Sequence, residues 1–156
     1  MSSKLEIANR ISGDVAYISL DGIIDEDAQF EKIKNLKMKK YSFDFEKIKM
    51  INSCGIREWI KYVEDLKNAE IVYLNCPQII IEQVNMVHGF IQKGVVVESF
   101  YAPYFCEACD DEKKVLLKSN EVNGAKAPAK SCAKCQGELD FDAIEKQYFG
   151  FLSQGK

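Results

Sequence analysis

Six cysteines are the residues of this 156-residue chain whose type and spacing can do chemistry, and four of them form two pairs. The first pair is Cys106-x-x-Cys109, and the second, after 22 intervening residues, is Cys132-x-x-Cys135. Each pair can form a tight turn, here called a knuckle, whose two thiolates point to one side. Two knuckles together supply four tetrahedral ligands to zinc at about 2.3 Å. The spacing therefore predicts a zinc ribbon with one zinc ion per chain.

The predicted metal is structural, because four cysteine ligands leave no open position for an activated water. The segment between the pairs has few large apolar residues and cannot build a core alone, which favours a metal as its substitute. Two alternatives remain: reduced thiols without a metal, and a redox-active pair. The redox alternative has less support, since neither pair opens a helix after a strand in the manner of thioredoxin.

Catalysis has little support elsewhere in the sequence. The sole histidine is His88, and no carboxylate or cysteine lies close to it along the chain. A base, a nucleophile and oxyanion donors cannot be assembled into one constellation from these residues. We therefore expect a protein that is not an enzyme.

The composition is that of a folded protein without a strong charge bias. Hydrophobic residues make up 47% and charged residues 29%, with a net charge of −3. Nucleic-acid binders usually carry a basic face, and the first knuckle here is acidic. No apolar run reaches the ~18 residues of a membrane helix, and the first residues lack a hydrophobic signal core. We expect a cytoplasmic protein that binds neither nucleic acid nor membranes; the sequence does not define its oligomeric state.

Short apolar strands alternate with helical stretches up to about residue 103. The predicted order is β-β-α-β-α-β-α-β, which indicates an α/β domain with a mostly parallel sheet and an antiparallel hairpin at its edge. The character changes beyond this point. We therefore predict two domains, residues 1–103 and residues 104–156, the second containing the zinc ribbon and a terminal amphipathic helix over 140–153.

Two predicted helices position the candidate site residues of this part of the chain. The first covers about 26–36, with Asp25 placed to cap it. The second covers about 54–67 and has Ser53 as its natural N-cap. Trp59 belongs to the apolar face of this second helix, so we expect it to be a packing residue, either in the core or semi-exposed.

Two segments before residue 103 resemble the signatures of STAS domains, the sulfate-transporter and anti-sigma-factor-antagonist family. Leu20–Ala28 contains a Gly-x-x-Asp turn between a strand and a helix, and Ile51–Ile56 stands where the family has an Asp-Ser-Ser-Gly-type turn. The resemblance covers about residues 4–103 and does not include the cysteine pairs. It implies a non-enzymatic protein-interaction module in bacterial signalling, whose partner resembles an anti-sigma factor or GHKL-type kinase.

The resemblance also implies a partner site around Asp25, Ser53 and Cys54. In antagonist members of the family, a kinase phosphorylates the serine before the glycine, and Cys54 stands at that position. A thiol is not a substrate for a serine kinase, so we expect no phosphate there. Cys54 is open to three interpretations: a partly buried packing residue, a partner contact, or a redox-sensitive thiol. The alternative function is a sensor of a small ligand or nucleotide, which no phosphate-loop glycine pattern supports.

Overall fold

The computed structural model describes residues 5–66, 68–87, 90 and 95–153, and these form two sheets with short helices. Two 3₁₀ segments, Ser119–Glu121 and Phe149–Ser153, accompany the regular elements. His88 lies outside the described residues. In chain order the elements are β1 (Glu6–Ser12), β2 (Val15–Ile24), α1 (Glu31–Lys34), β3 (Lys40–Ile51), α2 (Ser53–Glu64), β4 (Glu70–Leu74), α3 (Gln78–Met86), β5 (Val95–Val97), β6 (Ser99–Cys106), β7 (Asp111–Lys118), β8 (Asp140–Phe141) and α4 (Glu145–Tyr148).

The first sheet has five strands in the order β1-β2-β3-β4-β5. β1 pairs with β2 in antiparallel fashion, and the remaining neighbours are parallel. Parallel neighbours need crossover connections, which α1, α2 and α3 provide between successive strands. The prediction of an α/β fold with a mostly parallel sheet and an antiparallel edge is confirmed, and so is the order of elements up to β5.

Aromatic side chains from β3, β4 and α2 fill the core beneath this sheet. Trp59 is fully buried, so of its two expected positions it takes the one in the core. The centre of its ring lies 4.9 Å from that of Phe43 and 5.3 Å from that of Phe45. Its indole N–H donates to the Tyr73 hydroxyl at 3.0 Å, and that hydroxyl donates to the Phe90 carbonyl at 3.1 Å. The polar ends of Trp59 and Tyr73 are therefore satisfied inside the core.

The first helix is much shorter than the predicted 26–36, because α1 covers only Glu31–Lys34. The Asp25 carboxylate accepts a hydrogen bond from the Asp27 N–H at 2.9 Å, and the Asp25 carbonyl accepts one from the Ala28 N–H at 3.0 Å. Aspartate readily holds a local turn of this kind in place of a helix. Asp25 thus caps a turn, and the prediction that it caps the helix is wrong.

The cap of α2 also differs from the prediction by one residue. Asn52 is the N-cap, and its side-chain oxygen accepts from the Gly55 N–H at 2.8 Å. Ser53, predicted as the cap, is instead the first helical residue. Asparagine and serine are about equally good caps, so local preference alone does not choose between them.

The second sheet has three antiparallel strands in the order β7-β6-β8. It joins the first sheet through the backbone of Cys76, whose N–H donates to the Ser99 carbonyl and whose carbonyl accepts from the Tyr101 N–H. Pro103 lies within β6. The division of the chain after residue 103 stays a prediction.

The predicted terminal helix over 140–153 is wrong. The segment forms the short strand β8, the single turn α4 and a 3₁₀ segment. Its aromatic residues are nevertheless buried: Tyr148, Phe149 and Phe151 surround Phe100 of β6, with ring centres 4.9–6.4 Å away. Asn85 of α3 donates to the Tyr148 carbonyl at 2.9 Å, so the segment packs against both α3 and the second sheet.

Among the described residues, no helix is both long enough and apolar enough to cross a membrane.

Candidate functional site

The structure brings together the four cysteines of the two pairs. Cys106 ends β6, Cys109 lies in the turn before β7, and Cys132 and Cys135 lie in the turn before β8. Their four sulfur atoms all lie within 4.8 Å of one another. The Sγ atoms of Cys106 and Cys135 are 3.5 Å apart, and those of Cys109 and Cys132 are 4.0 Å apart. Four sulfurs at about 2.3 Å from a central zinc would be separated by about 3.8 Å, so the geometry fits a tetrahedral metal.

The two knuckles share one backbone design. The residue after the second cysteine of each pair has a left-handed conformation, with φ of 52° at Asp110 and 65° at Gln136. In each knuckle a backbone N–H approaches a sulfur at 3.4 Å, from Cys109 to Cys106 in the first and from Gly137 to Cys135 in the second. These N–H groups orient the sulfurs and stabilise negative charge on them.

The hydrogen bonds within the cluster separate the pKa values of its thiols. The backbone N–H groups of Cys135 and Lys134 lower the pKa of Cys132 to about 6. Hydrogen bonds with Cys135 and Cys106 raise the pKa of Cys109 to about 12. Cys109 and Cys132 therefore do not ionise together by themselves, and a divalent cation at the centre of the cluster would favour the thiolate form of its ligands.

The long segment between the two pairs is held by side chains that the sequence analysis did not identify. Glu121 pairs with Lys130 at 2.8 Å, and Glu145 accepts from the backbone N–H of Ala127 at 2.6 Å. The Tyr104 hydroxyl donates to the Pro128 carbonyl at 2.7 Å. Three of these side chains are surface charges and the fourth is a tyrosine in a strand. Their partners do not lie at a regular spacing along the chain, so no local sequence pattern identifies them.

The start of α2 lies against the turn that contains Asp25. A Cβ atom on Gly55 would be 2.0 Å from the Ile24 carbonyl oxygen, so only glycine permits this approach. The Asn52 N–H donates to the same carbonyl at 3.1 Å. Asp25, half-buried, thus comes beside the exposed Ser53 and Cys54. The interpretation of Cys54 as a partly buried packing residue is wrong, since its side chain is exposed.

Glu26 is a further member of this surface that the sequence analysis missed. Its carboxylate accepts from the Asn52 side-chain amide at 3.1 Å. Its own backbone N–H and then Asn52 hold the pKa of the Glu26 carboxyl below its ordinary value. Twenty-six positions separate the two residues, so only the folded chain reveals the pair. Asn52 thereby connects the cap of α2 to the Asp25 turn.

The sequence matches no protein-family model, and it matches no curated protein. Among solved structures, an anti-sigma factor antagonist from Mycobacterium paratuberculosis is similar to this chain. The TM-score is 0.46 and the sequence identity is 14%, over 55% of this chain and 81% of that chain.

Proposed function

We propose that this chain is a non-enzymatic, regulatory protein-interaction module of the STAS type, whose partner binds at Asp25, Ser53 and Cys54. The observation that carries the proposal is the exposed start of α2, which Gly55 holds against the Ile24 carbonyl. Both sequence segments that resemble the STAS signatures meet at this contact. We place the protein in the cytoplasm, where a reducing environment keeps its thiols free to bind a metal.

The first turn of α2 offers an electrostatic environment that favours an acidic partner group. The first turn of a helix has backbone N–H groups without intrahelical partners and the positive end of the helix dipole. Such a terminus favours a carboxylate or phosphate supplied by a partner. The family resemblance gives an anti-sigma factor or GHKL-type kinase as the partner class. Because Cys54 stands at the acceptor position, partner binding would not be controlled by phosphorylation of that residue.

Partner affinity of Cys54→Asp tests the proposal. The variant places a negative charge where an acidic partner group would lie, and like charges at an interface cost several kcal/mol. The fold should tolerate it, since a carboxylate near a helix N-terminus is favourable by about 0.3–1 kcal/mol. Cys54→Asn is the neutral control of matched size. A partner isolated by copurification should lose affinity for the first variant and keep it for the second.

An unchanged affinity of Cys54→Asp, with an unchanged melting temperature, would contradict the proposed surface. The second sheet would then be the next region to test. Stoichiometric phosphate on Ser53, found by mass spectrometry of the native protein, would contradict the absence of a phospho-switch.

The four-cysteine cluster would hold one structural zinc ion per chain. Its support is the donor set, since four thiolates satisfy zinc completely and leave no position for a substrate. Elemental analysis of the native protein should find one zinc per chain, and Cys132→Ser should abolish it. Native protein without zinc, or zinc unaffected by this substitution, would contradict the assignment.

One observation favours the alternative function, a small-ligand sensor. A depression of about 320 Å³ lies on the uncovered face of the five-stranded sheet, lined by Arg10, Tyr17, Ser42 and Asp44 among others. Ser42 is only 6% exposed there. Thermal shifts with nucleotides and small carboxylic acids would test this function. A rise in melting temperature that Ser42→Ala removes would favour it over partner binding alone.

A further inference from the structure

The four sulfurs of the cluster differ in their access to solvent. Cys106 and Cys132 are buried, Cys109 is half-buried and Cys135 is exposed. The residue beside the exposed sulfur is Gly137, where even a Cβ atom would lie only 3.3 Å from the Cys135 Sγ. Because the residue is glycine, no side chain from this position covers the sulfur. A small solute reaches the cluster most directly at Cys135.

Cys135 also makes a close sulfur contact that crosses from one knuckle to the other. Its Sγ lies 3.5 Å from that of Cys106, whereas a second contact across the knuckles, between Cys109 and Cys132, measures 4.0 Å. A disulfide needs the two sulfurs to approach to about 2.05 Å. Of these two pairs across the knuckles, the one that joins Cys135 to the buried Cys106 requires the smaller movement.

We infer that the four-cysteine site responds to peroxide: Cys135 is oxidised first, and Cys106 then closes a disulfide across the two knuckles. This inference goes beyond partner binding and rests on the proposed zinc site only for the release of metal. The order of reaction follows from exposure, and the choice of disulfide follows from distance.

The chemistry takes two electrons from two thiolates. The Cys135 thiolate attacks one oxygen of hydrogen peroxide, the O–O bond breaks, and a sulfenic acid and hydroxide are formed. The Cys106 thiolate then attacks the sulfenic sulfur, the S–S bond forms, and the second oxygen leaves as hydroxide. Solvent protons convert both hydroxides to water. The peroxide is reduced, the two cysteines are oxidised, and two of the four charges that held the metal are gone.

The expected product is a metal-free ribbon that stays closed. The disulfide would connect the end of β6 to the second knuckle, replacing the metal as the link between the same two positions. Removing the metal by a chelator under reducing conditions leaves no such link, so that form should open. Oxidation and chelation are therefore expected to give two different metal-free states.

Titration of the full, zinc-loaded chain with hydrogen peroxide tests this inference. Zinc release is followed with a coloured chelator, and free thiols are counted by alkylation and mass spectrometry. We expect one zinc to be released as two thiols are lost per chain. Trypsin cleaves after Lys134 and so separates Cys132 from Cys135, and a glutamyl endopeptidase cleaves after Glu107 and so separates Cys106 from Cys109. Together the two proteases let the linked peptides be distinguished. The linkage expected is Cys106 to Cys135.

The chain supplies its own controls. Cys54 is an exposed cysteine outside the cluster, and Cys76 is a fully buried one. Cys54→Ser should leave zinc release and the linkage unchanged and should prevent disulfides between chains. Cys76 should keep its thiol throughout, because burial raises its pKa well above the ordinary value.

Three results would overturn the inference: a dominant Cys132–Cys135 linkage, oxidation of Cys54 before Cys135, or retention of zinc after two thiols are lost. A different result would count against the zinc proposal. If the reduced chain, supplied with zinc, holds none, the zinc assignment fails. The linkage formed in that metal-free chain would still decide whether oxidation joins the two knuckles.

Discussion

The five-stranded sheet and the four-cysteine ribbon are stabilised by different physical means. Beneath the first sheet, Trp59 and its aromatic neighbours form a core that excludes water. In β7 of the second sheet only Leu117 is fully buried, and the sulfur cluster lies at the opposite end of that strand pair. Apolar burial stabilises the first region from within, whereas at the far end of the second region four sulfurs lie within 4.8 Å of one another, where the proposed zinc would bind.

The two regions are nevertheless connected by specific contacts. The Tyr101 hydroxyl of β6 donates to the Glu46 carboxylate of β3, and this bond raises the pKa of Tyr101 to about 12. The Tyr101 N–H donates to the Cys76 carbonyl, which follows β4, at 2.8 Å. Strand β6 therefore contacts the five-stranded sheet at its base and ends in the cysteine cluster at its tip. We therefore predict that unfolding of the knuckles at the tip of β6 leaves the five-stranded sheet folded.

Metal removal is the change with the largest expected effect. Structural zinc contributes about 10–16 kcal/mol to the folding of small zinc domains. Removing zinc with a chelator under reducing conditions should therefore abolish amide-exchange protection in both knuckles. Protection in β3 and β4 should persist, because the aromatic core does not use the metal. Cys54→Ser with zinc bound is the control and should resemble the native protein.

A simultaneous loss of protection in both regions would contradict this prediction. It would mean that the two sheets unfold as one cooperative unit, and that the division of the chain after residue 103 has no thermodynamic meaning.

The features that the sequence predicted correctly are those that local periodicity or ligand number determines. The alternation of Tyr41, Phe43 and Phe45 requires a strand with one buried face, and β3 has it. The cysteine spacing required only that two tight turns meet, because four sulfurs complete one tetrahedron. Neither inference depends on the positions of other segments of the chain.

Two of the wrong predictions, the terminal helix and the cap of α2, share one cause, which is competition from distant partners. The apolar spacing around Phe141 suits a helix, but Phe141 pairs with Tyr104 of β6 and becomes part of a strand. Gly55 fits against the Ile24 carbonyl, and Asn52 rather than Ser53 is then placed to cap the helix. Nothing in the local sequence describes these contacts.

Truncation of the central tryptophan is the next largest change. Trp59→Ala should lower the free energy of unfolding by about 3–5 kcal/mol, because it leaves a cavity among five rings and removes the indole donor to the Tyr73 hydroxyl. Zinc content should remain at one per chain. Urea denaturation and elemental analysis measure the two effects separately. Ile144→Ala, at a side chain that is 63% exposed, is the control and should change stability by less than about 0.5 kcal/mol. A loss of zinc in Trp59→Ala would contradict the conclusion that the two regions are stabilised separately.

A smaller effect is expected where α2 meets the Asp25 turn. Gly55→Ala would place a methyl group 2.0 Å from the Ile24 carbonyl oxygen, so backbone must move. We expect a loss of about 1–3 kcal/mol in stability, as for other overpacked sites. Gly150→Ala is the matched control, because its Cβ would meet only the Asn85 side-chain oxygen at 3.5 Å. Equal melting temperatures for the two variants would show that the contact at Gly55 is loose.

The smallest effect concerns Glu121, which holds the segment between the knuckles. Its carboxylate accepts from Lys130 Nζ and from the Lys118 N–H, both at 2.8 Å. These two donors, Lys130 first, keep the pKa of the Glu121 carboxyl below its ordinary value of 4.5. A carboxyl group with a lowered folded-state pKa stabilises the folded chain above its unfolded-state pKa. That contribution is lost as the pH falls through the folded-state value.

Glu121→Gln should therefore destabilise the ribbon at pH 7 and make progressively less difference below about pH 4.5. The loss at pH 7 should be about 0.5 kcal/mol, because water screens this pair, whose side chains are 28% and 34% exposed. Local amide exchange around Lys130, measured at pH 7 and at about pH 4, checks the pH dependence. Glu112→Gln removes an exposed carboxylate from β7 and controls for the change in net charge. If both variants lose the same stability at both pH values, the Glu121–Lys130 pair has no specific role, and the hydrogen bonds of Glu145 and Tyr104 remain as the contacts that hold the segment between the knuckles.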